Sequence, residues 1–347
     1  MSVSARRRMT PTSAPRIALV GAGAVAEILY VPALQAHRLL GRVILVDPDV
    51  RRAEGLARRF GIARWSADHR ELLGEVDAAI VAVPTYLHAD VSLDFLRRGV
   101  HVLCEKPLAE TPSAARAMIA ESTRTGAILA ANYTRRLYAS YRKIKELLTE
   151  GRLGRPRSIR FVIGDDFKWP TVSGFYFNAR LSSKGVLLDR GSHKFDLIAW
   201  WLGGKPALVS CETDSFGGPE AVAEVKWAYN GCQGEVRLSI LGRLPGRFRV
   251  ECETGTIEGE IYDFRRLLVT PRGKGPTTLR LPSAERVYAD FGHRIVGNFI
   301  ASLGGDQAVL VTGRDVIDSI EFTDECYRAA RRFTMPWYDP LETGRES

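Results

Sequence analysis

The 347-residue chain is short of cysteine, of long apolar runs and of basic tracts, and each shortage excludes a class of protein. Its five cysteines, Cys104, Cys211, Cys232, Cys252 and Cys326, are odd in number, widely spaced and without a C-x-x-C pair. That excludes a disulfide framework and a zinc knuckle, and a reduced, cytoplasmic setting is expected. No His, Cys and carboxylate cluster has ligand spacing, so no metal is expected. No segment approaches the roughly 18 apolar residues of a membrane-spanning helix, so no membrane partner is expected. Residues 1–14 are rich in Ser, Thr, Pro and Arg and lack the apolar core of a secretory leader, so they read as a flexible basic arm.

Lys and Arg outnumber Asp and Glu by 49 to 40, a net charge of +9, which raises nucleic acid as a partner. Three of those charges, Arg6, Arg7 and Arg8, lie in the arm, and the others are dispersed. No Lys/Arg run is interleaved with aromatics, as a nucleic-acid groove would require, so no nucleic acid is expected. An anionic small ligand or cofactor fits the charge better. The composition, 45% hydrophobic and 26% charged, is that of a folded globular protein. At roughly 150 residues per domain, the length implies about two domains.

The short apolar runs Ile17–Val20, Val43–Val46, Ala78–Val83, His101–Cys104 and Ile128–Ala131 alternate with helical stretches near 24–37, 49–60, 69–73, 89–98 and 111–125. Strands buried on both faces and separated by helices predict a doubly wound parallel sheet over residues 15–133. The second half, 134–340, opens with a helix near 138–150 and turns β-rich. Strands are expected at 157–163, 208–214, 221–229, 234–241, 248–252, 256–261 and 267–270, with helices at 189–201 and 313–332. The expected class is α/β followed by α+β with an open, mainly antiparallel sheet.

Gly21-Ala22-Gly23-Ala24-Val25-Ala26 is G-x-G-x-x-A between a strand and a helix. Gly21 permits the tight turn, and Gly23 lets a pyrophosphate approach the backbone N–H groups of Ala24 and Val25 at a helix N-terminus. Asp47, 24 residues after Gly23, stands where a carboxylate accepts hydrogen bonds from the adenosine ribose. It would repel a 2′-phosphate, which favours NAD, while Arg51 and Arg52 keep NADP open as an alternative.

Glu105-Lys106-Pro107 follows a strand, so Lys106 faces the crevice where such sheets bind ligands. Asp189 and His193 are four apart at the expected start of a helix, with Asp196 three residues on. A helix N-terminus depresses the His pKa and a neighbouring carboxylate raises it, leaving an imidazole that exchanges protons near neutral pH. The bland alternatives are a solvated lysine and a capping aspartate beside a structural histidine.

Taken in order, Gly21-Ala22-Gly23, Val83-Pro84-Thr85-Tyr86-Leu87-His88, Glu105-Lys106-Pro107 and Asp189-x-Gly-x-His193 resemble the glucose-fructose oxidoreductase / inositol dehydrogenase / MocA family, from Arg16 to about Arg332. The resemblance implies a Rossmann domain, an antiparallel-sheet domain, and a homo-oligomer, dimer or tetramer. It implies that Lys106 contacts the reacting hydroxyl, that His193 is the general acid/base, and that Asp189 holds substrate and orients His193. Pro84, Thr85, His88 and Glu105 would line the cofactor.

The tract Asp165–Arg180 is unusually aromatic, and Trp169, Tyr176 and Arg180 are taken as substrate contacts, with Lys168 or Arg180 able to meet a phosphate. Lys184 stands where the family has glycine. The expected function is hydride transfer between NAD(P) and a secondary alcohol or ketone of a sugar, cyclitol or nucleotide-sugar, phosphorylated forms included. One alternative is a redox-neutral epimerase or glycosidase using transient oxidation. The other is a non-catalytic dinucleotide or sugar sensor.

Overall fold

A computed structural model describes residues 14–166, 170 and 184–334. The first sheet contains β1 (Ile17–Val20), β2 (Val43–Val46), β3 (Arg64–Ser66), β4 (Ala78–Val81), β5 (His101–Glu105) and β6 (Leu129–Asn132). All are parallel, in the order β3-β2-β1-β4-β5-β6. The order reverses between β1 and β4, and the crevice at their carboxyl ends is where a dinucleotide binds in such sheets.

Strand residues pack alternately on the two faces. Ile17 and Leu19 join one cluster with α1 (Val31–Ala36), and Ala18 and Val20 join another with α3 (His88–Arg97) and α4 (Pro112–Thr125). Between β2 and β3 runs α2 (Val50–Phe60), closed by Gly61 in the left-handed conformation.

After α5 (Ala139–Thr149) come β7 (Pro156–Gly164), α6 (Ser192–Leu202), β8 (Ala207–Thr213), β9 (Val222–Tyr229), β10 (Cys232–Ser239), β11 (Arg247–Cys252), β12 (Gly255–Glu260), β13 (Arg266–Pro271) and β14 (Thr277–Arg280). With β15 (Arg331–Arg332) these strands form a nine-stranded sheet in the order β14-β13-β12-β11-β7-β10-β9-β8-β15. Its pairings are antiparallel except β7 with β10 and β8 with β15. The expected mainly antiparallel sheet is present, with β14 and β15 added at its edges.

Three further features depart from the sequence expectation. Helix α7 (Tyr288–Leu303) is not anticipated, because Gly292 and Gly297 interrupt its apolar pattern and lower its helix propensity. Both glycines are contact points, since a Cβ on Gly292 would lie 2.6 Å from the Leu29 carbonyl and one on Gly297 would lie 2.7 Å from the His37 ring. The closing helix is shorter than expected, α8 (Ile317–Ala329). Just before it, Thr312 bridges Ala130, so the chain returns to the first sheet.

The third departure bears on the site. The helices after β1 and before α6 each contain a π-turn, Ala26–Tyr30 and Leu187–Gly191. The second helix therefore begins at Val186 rather than at Asp189. Single π-turns of this kind gather at functional sites.

Candidate active site

The glycine turn follows β1 directly. Gly21 has φ +103°, donates to the Val46 carbonyl at 2.7 Å, and packs so closely on β4 that a Cβ would lie 2.4 Å from the Ala82 carbonyl. Only glycine satisfies both demands. Above Gly23 there is open space, with no atom within 4 Å of a Cβ position. That is the clearance a pyrophosphate needs.

Asp47 is buried at the end of β2, held from opposite sides by the backbone N–H of Ala22 and of Asp49, each at 2.9 Å. Arg52 turns inward to it, Nη1 at 3.4 Å from Oδ1, whereas Arg51 is exposed. The carboxylate is thus fixed in place, with oxygen lone pairs left to accept from a ribose.

Gly21, Gly23, Ala24, Val25, Asp47, Pro84, Thr85, His88, Glu105 and Lys106, the sequence-derived cofactor set, line one cavity of about 310 Å³. His88 places its two ring nitrogens near carbonyl oxygens, Nδ1 2.8 Å from that of Pro107 and Nε2 2.9 Å from that of Val83. It ties the end of β4 to the turn after β5, where the Lys106–Pro107 peptide is cis. Burial pushes its pKa down to about 4. The neutral ring carries one N–H, so at neutral pH only one of its two carbonyl contacts is a hydrogen bond.

Under Lys106 lies a buried network that the sequence reading does not reach. Glu105 Oε1 accepts from Tyr30 Oη at 2.7 Å and from Asn132 Nδ2 at 2.5 Å, and Oε2 accepts from the Lys106 backbone N–H at 3.0 Å. Burial raises the Glu105 pKa against these hydrogen bonds and against Lys106. Tyr30 belongs to the first π-turn and Asn132 ends β6, so two separate elements grip Glu105 at the end of β5, next to the lysine.

Lys106 Nζ reaches across to the π-turn before α6, donating to Asp189 Oδ1 at 2.8 Å and to the Asp189 carbonyl at 2.9 Å. Burial pushes the Asp189 pKa up, but Lys106, Arg190 and Lys194 outweigh it and hold the carboxyl below its usual range. The expected orienting bond from Asp189 to His193 is not among the described hydrogen bonds. The carboxylate is instead taken by Lys106, which holds Asp189 Oδ1 at 2.8 Å.

Asp196 does not face His193 either. It is fully buried and takes a bidentate pair from Arg136, at 2.7 and 2.9 Å. His193 Nδ1 is buried with no hydrogen-bond partner among the described residues, and the ring meets Tyr133 edge-on at 6.3 Å. Burial first, then the cations Lys106, Arg135 and Lys194, lower its pKa well below the ordinary value. Such a ring is neutral at pH 7.

His193 opens onto a second cavity of about 610 Å³, which shares Val25, Glu105, Lys106 and Asp189 with the first. Arg135, Arg190, Lys194, Tyr262 and Tyr288 also line it, and sequence reasoning misses all five. A signal for Lys194 was present, since a lysine in a helix that is mostly apolar is unusual. Lys184 donates to the Glu110 carbonyl at 2.8 Å and lies over the Tyr327 ring at 5.3 Å. Trp169, Tyr176, Arg180 and Lys168 lie outside the described residues. An open concavity of about 640 Å³ on the nine-stranded sheet, lined by Arg160, Arg247 and Arg280 among others, holds none of the candidate residues.

Residues 15–133 match the model of the GFO/IDH/MocA oxidoreductase family with NAD-binding Rossmann fold, and residues 141–258 match a GFO/IDH/MocA C-terminal domain. The chain belongs to this family. It is an oxidoreductase whose cofactor is NAD. The 1,5-anhydro-D-fructose reductase of Ensifer adhaerens is 29% identical over 88% of this chain and 93% of its own. The D-glucoside 3-dehydrogenase of Escherichia coli is 32% identical over 59% of each chain. A levoglucosan dehydrogenase structure in complex with NADH and levoglucosan has a TM-score of 0.79, 19% identity, and covers 90% of this chain and 96% of its own. That likeness shows the fold alone.

Proposed function

We propose that this family member moves a hydride between NAD and a secondary carbinol of a sugar or cyclitol, with Lys106 and His193 handling the hydroxyl proton. The observation that carries the reading is that Lys106 and Asp189 line both the dinucleotide crevice and the larger cavity into which His193 opens.

Gly21, Gly23 and Asp47 would hold the dinucleotide, and when bound it supplies the hydride acceptor. The rest falls to the chain. Lys106 donates a hydrogen bond to the carbinol oxygen and stabilises the charge that develops there as the proton leaves. His193, neutral at pH 7, takes that proton and returns it in the reverse direction. Asp189 anchors Lys106 and accepts from a neighbouring substrate hydroxyl. Glu105, gripped by Tyr30 and Asn132, fixes the backbone from which Lys106 projects. A homo-oligomer, dimer or tetramer, is part of the proposal.

The test is the near-ultraviolet absorbance of the reduced nicotinamide, with NAD⁺ and pooled cyclitols, sugars, glycosides and nucleotide-sugars. A persistent rise supports net oxidation. Product without a lasting rise supports the redox-neutral alternative, and neither rise nor product from any pool removes the proposal.

A further inference from the structure

Helix α6 is buried from Ser192 to Ala199, so any charge on it must be compensated. Asp196 has Arg136. Lys194 is 3% exposed and lines the larger cavity, yet among the described residues it has no hydrogen bond or ion pair. Burial and the cations Arg135, Lys106 and Arg190 depress its pKa, and Asp189 is the acid that faces it. That acid is already bound to Lys106.

Arg135 faces the same cavity. Its guanidinium lies 4.8 Å from the Tyr138 ring centre and 5.0 Å from that of Tyr262, and its Nε is buried without a partner. Of the acids on the wall, Asp165 is paired with Arg190, Glu105 with Tyr30 and Asn132, and Asp166 is exposed to solvent. Segments 167–169 and 171–183 contain no Asp or Glu, only Lys168 and Arg180 as charges. A buried ammonium and a half-buried guanidinium lining one cavity, whose nearest acids are already paired, are costly unless a ligand supplies the negative charge.

We propose that Lys194 and Arg135 form an oxyanion subsite, and that the substrate polyol carries a carboxylate or phosphate held there while its carbinol lies at Lys106 and His193. This deepens the dehydrogenase reading and rests on it. The cavity of about 610 Å³ is of ordinary size for a small-molecule site, and the guanidinium fork matches either oxyanion.

The experiment compares kcat/KM with excess NAD⁺ at fixed ionic strength for matched pairs: D-glucose with D-glucuronate, D-galactose with D-galacturonate, and D-glucose with D-glucose 6-phosphate. The expected result is that a carboxylate or phosphate member exceeds its neutral partner by about 30-fold or more, that Lys194→Met loses a similar factor for that member, and that Lys194→Arg recovers part of it. The two arms identify the oxyanion. A neutral sugar as good as its charged partner in every pair, or a charged-to-neutral ratio unchanged in Lys194→Met, overturns the subsite.

If no pair reduces NAD⁺, the dehydrogenase reading fails for these sugars, and thermal unfolding without cofactor tests the subsite separately. Stabilisation by glucuronate or glucose 6-phosphate over glucose, lost in Lys194→Met, upholds it. Equal shifts with charged and neutral sugars overturn it.

Discussion

Lys106 Nζ and Asp189 Oδ1 are 2.8 Å apart at the junction of the two cavities, so one ion pair joins the cofactor crevice to the chamber beyond it. The lysine comes from the turn after β5 and the aspartate from the π-turn before α6, 83 residues later. Lys106 is thereby aimed before any substrate enters.

Asp189→Asn keeps the shape and removes the charge that anchors the ammonium. It is expected to lower kcat/KM by about 10²-fold while leaving NADH affinity, measured by nicotinamide fluorescence, little changed. A parallel loss of cofactor affinity would mean that the pair serves the crevice rather than the chemistry.

In the proposed mechanism His193 governs the pH response. Its pKa is lowered in the folded protein, so the ring stays a competent base as pH falls through the ordinary histidine value and is lost as a base only below it. The kcat/KM of oxidation is expected to hold from neutrality to below about pH 6.5, and that acid limb should disappear in His193→Gln. The sign for stability is the same: the contribution of neutral His193 is present above the unfolded value and declines as pH falls beneath it.

In the proposed function Asp47 and Arg52 set the cofactor choice. Removing the carboxylate in Asp47→Ser frees Arg52 from its 3.4 Å contact and takes away the group that repels a 2′-phosphate. The ratio of NADP to NAD in kcat/KM is expected to rise at least about tenfold, worth roughly 1.4 kcal/mol. Arg52→Ala should not produce that rise.

The Arg136–Asp196 pair is structural. Asp196 is fully buried, and Arg136→Met leaves it uncompensated, which is expected to destabilise the protein by about 3–5 kcal/mol in urea unfolding. Arg136→Met with Asp196→Leu should recover most of the loss.

Much of this was legible in the sequence because its signals are local. Ile17–Val20 and Ala78–Val81 read as buried parallel strands because a strand covered on both faces is apolar throughout. Gly21, Gly23 and Asp47 were legible from their spacing around β1 and β2, and Lys106 from its place after β5. Helix α7 was hidden by Gly292 and Gly297, which serve packing on Leu29 and His37 rather than helix propensity.

The π-turns were hidden for another reason. A reading at 3.6 residues per turn pairs Asp189 with His193 and does not anticipate the π-turn, whereas the aspartate is bound by Lys106, 83 residues earlier in the chain. The surroundings of Arg135 were illegible because Tyr262 and Tyr288 come from the turn after β12 and from α7, more than a hundred residues away in sequence. Their meeting is a product of tertiary packing.

The most direct test of the central claim is the single-turnover rate of NAD⁺ reduction by a saturating substrate in the wild type, Lys106→Met and His193→Gln, with NADH affinity measured on the same samples. Both variants are expected to lose about 10²–10⁴ in rate with cofactor affinity little changed. Near-native rates in both variants, with the cofactor bound as in the wild type, would contradict the assignment of Lys106 and His193 to the hydroxyl proton.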